Sequence, residues 1–278
     1  MEIKASDVKA LREATGAGLM DCKKALTEAN GDAKEAEKIL KEKGLAAVAK
    51  RAERATSEGR VFVRTQDKKI VLIEVTCETD FVANNADFIA AGEKLLDITF
   101  ANGYTQVEQA HKDVLLELAT KTRENMTVAK VNVINVPDNA VAETYVHSNF
   151  KTASAVVVKG STADVVKQFA HDCCLHLAAF TPAYIYQKDV PQSYIDEQTE
   201  IFKGQMDQDE KMASKPQNIK DNILKSKVAK HVAEICFVDQ MFVKDDKVTV
   251  AKKLEETAKA AGATLEFGEI VLDVLGKN

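Results

Sequence analysis

The chain has 278 residues, of which 45% are hydrophobic and 29% charged, with only 4 Pro and 12 Gly. That excludes a disordered chain, leans towards helix, and gives length for a sizeable core in more than one domain. A net charge of -5 tells against a general nucleic-acid binder, which carries a basic excess to neutralise phosphate. The five cysteines, Cys22, Cys77, Cys173, Cys174 and Cys236, form no CxxC and suggest neither a disulfide framework nor a zinc site. They read as buried thiols in a reducing cytosol. Met1-Glu2-Ile3-Lys4 does not read as a signal peptide, and no apolar run approaches the roughly 18 residues of a membrane span. A cytoplasmic location without membrane contact is expected.

Residues 1–55 read as a small helical module. Ser6 is placed to cap a first helix with Val8 and Leu11 on its apolar side. Thr15-Gly16-Ala17-Gly18 breaks it, and a second helix runs through Leu19, Met20, Cys22 and Leu26. Asn30-Gly31 ends that one, and Asp32 caps a third through Ala36, Ile39 and Leu40. Residues 41–58 are a solvated helix or linker. Three short helices bury little surface, so the module is marginal alone and suited to docking.

Near Arg60 the period changes. Val61 and Val63, then Ile70 to Val75, are strand-like, with the turn at Gln66-Asp67-Lys68. One helix follows with Phe88, Ile89, Leu95, Leu96 and Ile98, capped by Asp87, and another covers His111 to Thr122. About 80 residues later a similar pattern recurs: strands at Tyr145-Val146-His147 and Ala155 to Val158, then a helix from Asp164 to Phe180. The expected fold class is α+β: the three-helix module, then a duplicated α+β core, with subdomains at 56–140 and 141–278. The second subdomain carries an insertion at about 191–236. One arm shows Ile195, Phe202 and Met206; after Lys215-Pro216 the other shows Ile219, Ile223, Val228, Val232 and Ile235. Narrow apolar seams on polar helices fit an antiparallel coiled-coil arm. Strands return near Phe242-Val243, Leu265 to Phe267 and Ile270-Val271.

No catalytic constellation is found. None of the five histidines, His111, His147, His171, His176 and His231, falls in HExxH or HxH spacing. There is no GxSxG, no Walker-type loop, and no GxGxxG after a strand. Cys173-Cys174 sits in a helix that reads as core. A binding protein without enzymatic activity, cofactor or metal is expected. The anomaly lies between the strand at 70–75 and the turn signal Asn84-Asn85: Thr79-Asp80-Phe81-Val82, an aromatic beside a carboxylate in a connection. Periodicity leaves two readings open. Phe81 could be a plug folded into the core, or an exposed wedge made to enter a partner's cleft. The corresponding stretch of the second repeat, Val158 to Ala163, has neither acid nor aromatic, which favours the wedge.

Val8 to Leu26, with Thr15-Gly16-Ala17-Gly18-Leu19-Met20-Asp21-Cys22-Lys23-Lys24-Ala25, resembles the opening signature of bacterial elongation factor Ts. Glu74 to Ala83 looks like that family's second signature. His176-Leu177-Ala178-Ala179 with Pro182, Lys215-Pro216 with Ile219, and Gln240 with Phe242 to Asp245 match further blocks. The resemblance implies a partner, the GTPase elongation factor Tu, whose GDP form such proteins bind to release GDP and admit GTP. It makes the first module ubiquitin-associated-like. It gives Arg12, Leu19 and Met20 a docking contact, with Leu19 standing where Met is common, a nearly volume-conserving change. It assigns Thr79, Asp80, Phe81 and Val82 to dislodging the partner's Mg²⁺, and His176 to a further contact. Many members carry a C-terminal helix beyond the last strand. Here Gly276-Lys277-Asn278 follow soon after Ile270 to Leu272, so that contact is not carried over. The arm could also meet a second copy, making a homodimer. Without the resemblance, an adaptor acting through residues 1–50 alone and an RNA-binding protein are the alternatives; net charge argues against the second.

Overall fold

The computed structural model describes residues 3–213 and 215–277. The chain is a mixture of helices and sheets, as expected, and it divides into two compact units. The first is Met1–Asn135 with Val146–Ala153 and Asp273–Asn278; the second is Val136–Tyr145 with Ser154–Leu272.

The first unit opens with α1 (Ala5–Thr15), α2 (Leu19–Glu28) and α3 (Ala33–Ala49). Val8, Leu11, Cys22, Ala25, Leu26 and Ala36 close a small core of their own. Asp32 caps α3 by accepting from the N–H groups of Lys34 and Glu35. Ser6 does not cap α1. It lies inside the helix, its hydroxyl bonded to Asp7, while Lys4 holds the cap position without a side-chain bond. The helix starts earlier because nothing after Lys4 breaks it. Lys- and Ala-rich residues favour helix intrinsically, so α3 also runs on into the stretch read as helix or linker, as far as Ala49.

β1 (Glu58–Gln66) and β2 (Lys69–Cys77) form an antiparallel hairpin. Asp67 and Lys68 both have positive φ, the requirement of the two-residue turn whose twist matches the strands. After α4 (Asp80–Ala83), α5 (Ala86–Asn102) and α6 (Gln109–Thr122), β3 (Met126–Asn135) pairs antiparallel on the free edge of β2. β3 is absent from the expected elements, although Val131-Asn132-Val133-Ile134 carries a strand-like alternation. Asn85, not Asp87, caps α5: its side chain accepts from the Asp87 N–H. Asp87 sits in the first turn and pairs with Lys121. Phe88, Leu95 and Leu96 point from α5 into a core with Val71, Ile73, Val75 and Leu115. Gly92 lets α5 approach the sheet, since a Cβ there would meet the Phe62 ring 2.1 Å away. His111 Nδ1 accepts from the Glu108 N–H, so its Nε2–H faces Thr99 Oγ1 at 2.9 Å, and that hydroxyl donates to the Leu95 carbonyl.

β4 (Ala140–Val146) and β5 (Thr152–Lys159) are followed by α7 (Asp164–Phe180), and β8 (Glu266–Val274) completes a sheet ordered β4-β5-β8. The first sheet is ordered β1-β2-β3, so in both a late strand joins the edge of the second strand. In the second unit Val156, Val158, Phe169, Cys173, Leu177 and Phe237 share a core. All five cysteines are free and buried, and burial pushes the Cys174 thiol up to about 12. In the insertion, α8 (Gln192–Asp207) and α10 (Gln217–Ile235) flank the short α9 (Glu210–Ala213). Tyr194 near the start of α8 bonds His231 near the end of α10 at 2.9 Å, so the two long helices run antiparallel. β6 (Met241–Phe242) and β7 (Asp245–Thr249) pair, and Thr249 caps α11 (Val250–Ala261), a helix not among those expected. Expected strands at 265–267 and 270–271 are one strand, β8. Among the described residues no helix is long and apolar enough to cross a membrane.

Candidate functional site

The segment after β2 is a turn of helix, not an open loop. Thr79 begins it, its hydroxyl accepting from the Val82 N–H at 3.3 Å. Inward-facing Val82 and Ala83 pack against the core of the first unit. Phe81 points the other way and is 85% exposed. Of the two readings the sequence left open, the core plug is therefore excluded. Asp80 is exposed beside it.

Both ends of this turn are held by charged side chains. The Glu124 carboxylate accepts from the Glu78 N–H at 3.1 Å, the Thr79 N–H at 3.1 Å and the Thr79 hydroxyl at 2.6 Å. Glu78 answers by accepting from the Asn125 N–H at 2.6 Å. At the far end Arg60 donates to the Ala83 carbonyl at 2.7 Å and to Asn84 Oδ1 at 2.6 Å. Its guanidinium lies 4.1 Å over the Phe150 ring, and the Phe150 carbonyl accepts from the Val61 N–H next along β1. Cys77, under the turn, points its sulfur at the Thr79 carbonyl, and burial pushes its thiol up to about 12. It is an inert thiol.

Arg12 lies in the last turn of α1, and Leu19 and Met20 open α2 after the break at 16–18. Gly16 ends α1 with φ 65°, in the left-handed region, and its N–H returns to the Arg12 carbonyl. Leu19 and Met20 open α2 at 50% and 62% exposure, and Arg12 is exposed as well. Asp21 next to Met20 pairs with Arg123 at 3.0 Å.

His176 is placed differently. It is fully buried among Phe180, Phe237 and Phe242. Its Nδ1 accepts from the Val243 N–H at 3.1 Å, so its Nε2–H donates to Gln240 Oε1 at 2.8 Å. Burial pushes its pKa down. No atom of the side chain reaches the surface, which corrects the expectation of a direct contact by His176. Two exposed side chains adjoin its partners: Phe180, 52% exposed, has its ring 4.7 Å from the imidazole, and Met241, 55% exposed, follows Gln240 in the chain.

A sequence model of the family described as "Elongation factor TS" matches residues 78–271. The chain is 50% identical to elongation factor Ts of Treponema denticola over 281 residues, covering 99% of each. The chain belongs to the elongation factor Ts family. It is also 41% identical to elongation factor Ts of Treponema pallidum over 292 residues, covering 99% of each, and 40% identical to that of Borrelia duttonii over 276 residues, covering 97% of this chain and 98% of the other. The family match takes in Thr79 to Val82 and His176. Arg12, Leu19 and Met20 precede it but fall within the region shared with the Treponema relatives.

Membership in the elongation factor Ts family makes this a translation elongation factor. Sequence reasoning named the tip of its exposed turn but missed the side chains that hold it. Arg60, Glu124 and Phe150 come from β1, the link after α6 and the link after β4, and nothing in their local patterns points at residues 79–84. Among the described residues no cluster of three or more His, Cys, Asp or Glu could hold a metal ion.

Proposed function

We propose that the chain binds elongation factor Tu in its GDP form, dislodges the Mg²⁺ beside the nucleotide and so promotes exchange of GDP for GTP. The observation that carries this reading is Phe81: a large aromatic, 85% exposed, on a turn fixed at both ends. An apolar side chain that stabilises nothing in its own fold is suited to burial in a partner. Mg²⁺ bridges phosphate charge and protein oxygens, so its loss weakens nucleotide binding. A wedge that binds only the displaced arrangement shifts the equilibrium by its differential affinity and no more. Burying one Phe is worth about 2–3 kcal/mol, and about 1.4 kcal/mol is a factor of ten. Phe81 thus supplies up to roughly two orders of magnitude in nucleotide affinity. Other contacts and distortion of the partner's phosphate loop supply the rest.

Asp80 is the polar complement of the wedge; Thr79 and Val82 hold its shape. The three-helix module is read as ubiquitin-associated-like, docking through Arg12, Leu19 and Met20. The shared strand order supports a duplicated core, and the antiparallel α8–α10 pair supports the coiled-coil arm. His176 acts indirectly, by fixing Gln240 and Val243 beneath the exposed Phe180 and Met241. The chain works in the cytoplasm, without covalent chemistry or a cofactor of its own.

The test is release of fluorescent GDP from elongation factor Tu. The whole chain is expected to accelerate it strongly, and Phe81→Ala to lose most of that acceleration with its circular dichroism unchanged. Release that ignores the added chain would overturn the proposal.

A further inference from the structure

We propose that Glu124 and Arg60 are positioning residues for the wedge, fixing where Phe81 stands without touching the partner's nucleotide site. The inference rests on the exchange function proposed above. Its starting point is that Phe81 has almost no contact with its own protein. Nothing packed around the ring decides where it sits, so its position is set by the backbone at 79 and 83 and by the inward anchors Val82 and Ala83. Those backbone ends are the atoms the two charged side chains grip.

Glu124 gathers three donors on one carboxylate, two of them backbone N–H groups. Charge-assisted bonds of this kind are stronger and more directional than neutral ones. Thr79, the third donor, also starts the turn, so Glu124 sets the angle at which the chain leaves β2. Arg60 grips the carbonyl that ends the turn and the amide of the next residue. Its guanidinium is stacked on Phe150, which holds φ 58°. That left-handed conformation is strained for a bulky residue. Its carbonyl is fixed by the Val61 N–H at 2.8 Å, so the platform under Arg60 is itself tied to β1.

A rigid wedge enters a cleft without first losing conformational freedom, whereas a loose one spends binding energy on ordering. The loss should appear in the maximal rate of stimulated GDP release and leave the half-saturating concentration of the factor nearly unchanged, because the docking residues on α1 and α2 are untouched.

The experiment measures both quantities for Glu124→Ala and Arg60→Ala, each alone and in the Phe81→Ala background, with thermal melting as the fold control. Each single variant is expected to lower the maximal rate about ten-fold, and to add less than about two-fold once Phe81 is gone, since residues acting through one group are not additive. Glu124→Gln keeps an oxygen for the two backbone N–H groups and an amide for the Thr79 hydroxyl, so it should recover to within about three-fold of the parent. Should Glu124→Ala not fold, Glu124→Asp draws the carboxylate back while keeping its charge and is expected to show the same loss. Unchanged rates in the single variants, or a full ten-fold loss persisting without Phe81, would overturn the positioning role. Should Phe81→Ala itself leave release unchanged, the exchange reading fails instead, and the two failures are told apart.

Discussion

One resemblance gives both Phe81 and His176 a contact role, yet they lie at opposite extremes of exposure. Periodicity leaves the aromatic at 79–82 open to a core plug or an exposed wedge; the second repeat, which lacks both acid and aromatic, favours the wedge, and the 85% exposure of Phe81 excludes the plug. The motif at 176–179 could not reveal that its histidine faces inward. The spacing of Phe169, Cys173 and His176, i, i+4 and i+7, does set the histidine on the buried stripe of α7, and it is the contact role implied by the resemblance that points outward. With His176 buried, His176→Ala takes their partner from the Val243 N–H and from Gln240 Oε1, and opens a cavity under Phe237. The expected cost is about 2–4 kcal/mol of unfolding free energy, read from the urea midpoint at neutral pH. A variant as stable as the parent, with weaker binding only, would restore the direct contact that the burial argues against.

At the scale of elements, the legible parts were those with strong local signals. The β1–β2 hairpin was marked by its apolar runs and polar turn, and α7 by the 3.6-residue period from Asp164 to Phe180. The caps were less legible. Ser6 and Asp87 carry the right chemistry for capping, but Lys4 and Asn85 hold the positions, because a cap is chosen by where the backbone leaves the helix and several polar residues compete. β3 and α11 were missed for another reason. β3 mixes Lys130 and Asn132 into its alternation, and Lys130 is needed there by a buried acid pair distant in sequence. The packing of α5 on the sheet depends on Gly92 in a way no helical pattern shows. A Cβ at that position meets three atoms of the Phe62 ring within 2.1–2.4 Å. Gly92→Ala therefore gains helix propensity yet is expected to lose about 1–3 kcal/mol through displacement of the ring. Thermal melting decides it: a rise in midpoint would mean that α5 and β1 yield more easily than the geometry indicates.

At the scale of the molecule, α+β class and family were legible, and the ties of the C-terminal residues were not. Glu74 on β2 and Asp273 are both 1% exposed, and Lys130 on β3 reaches each at 3.4 Å. Gly276 donates its N–H to Glu74, and Lys130 donates to the Lys277 carbonyl. Burial first, then the neighbouring Glu74, pushes the Asp273 carboxyl up to about 6, with Lys130 opposing. A carboxyl whose folded pKa is raised adds stability below its unfolded value, 3.8, and loses it as pH rises through about 6. Asp273→Asn should therefore gain on the parent by about 1–2 kcal/mol between pH 4 and pH 7 in urea unfolding, and a constant difference across that range would contradict the raised Asp273 carboxyl. No local pattern links Glu74 to a residue some 200 positions away, which is why this tie escaped the sequence. The central claim remains the wedge and its target. The most direct measurement is GDP release from elongation factor Tu at saturating factor, parent against Phe81→Ala, in millimolar Mg²⁺ and again with the metal chelated. The account predicts a deficit of up to about 100-fold with Mg²⁺ present that largely disappears when it is removed. A folded Phe81→Ala variant as fast as the parent in Mg²⁺, or a deficit indifferent to the metal, would contradict it.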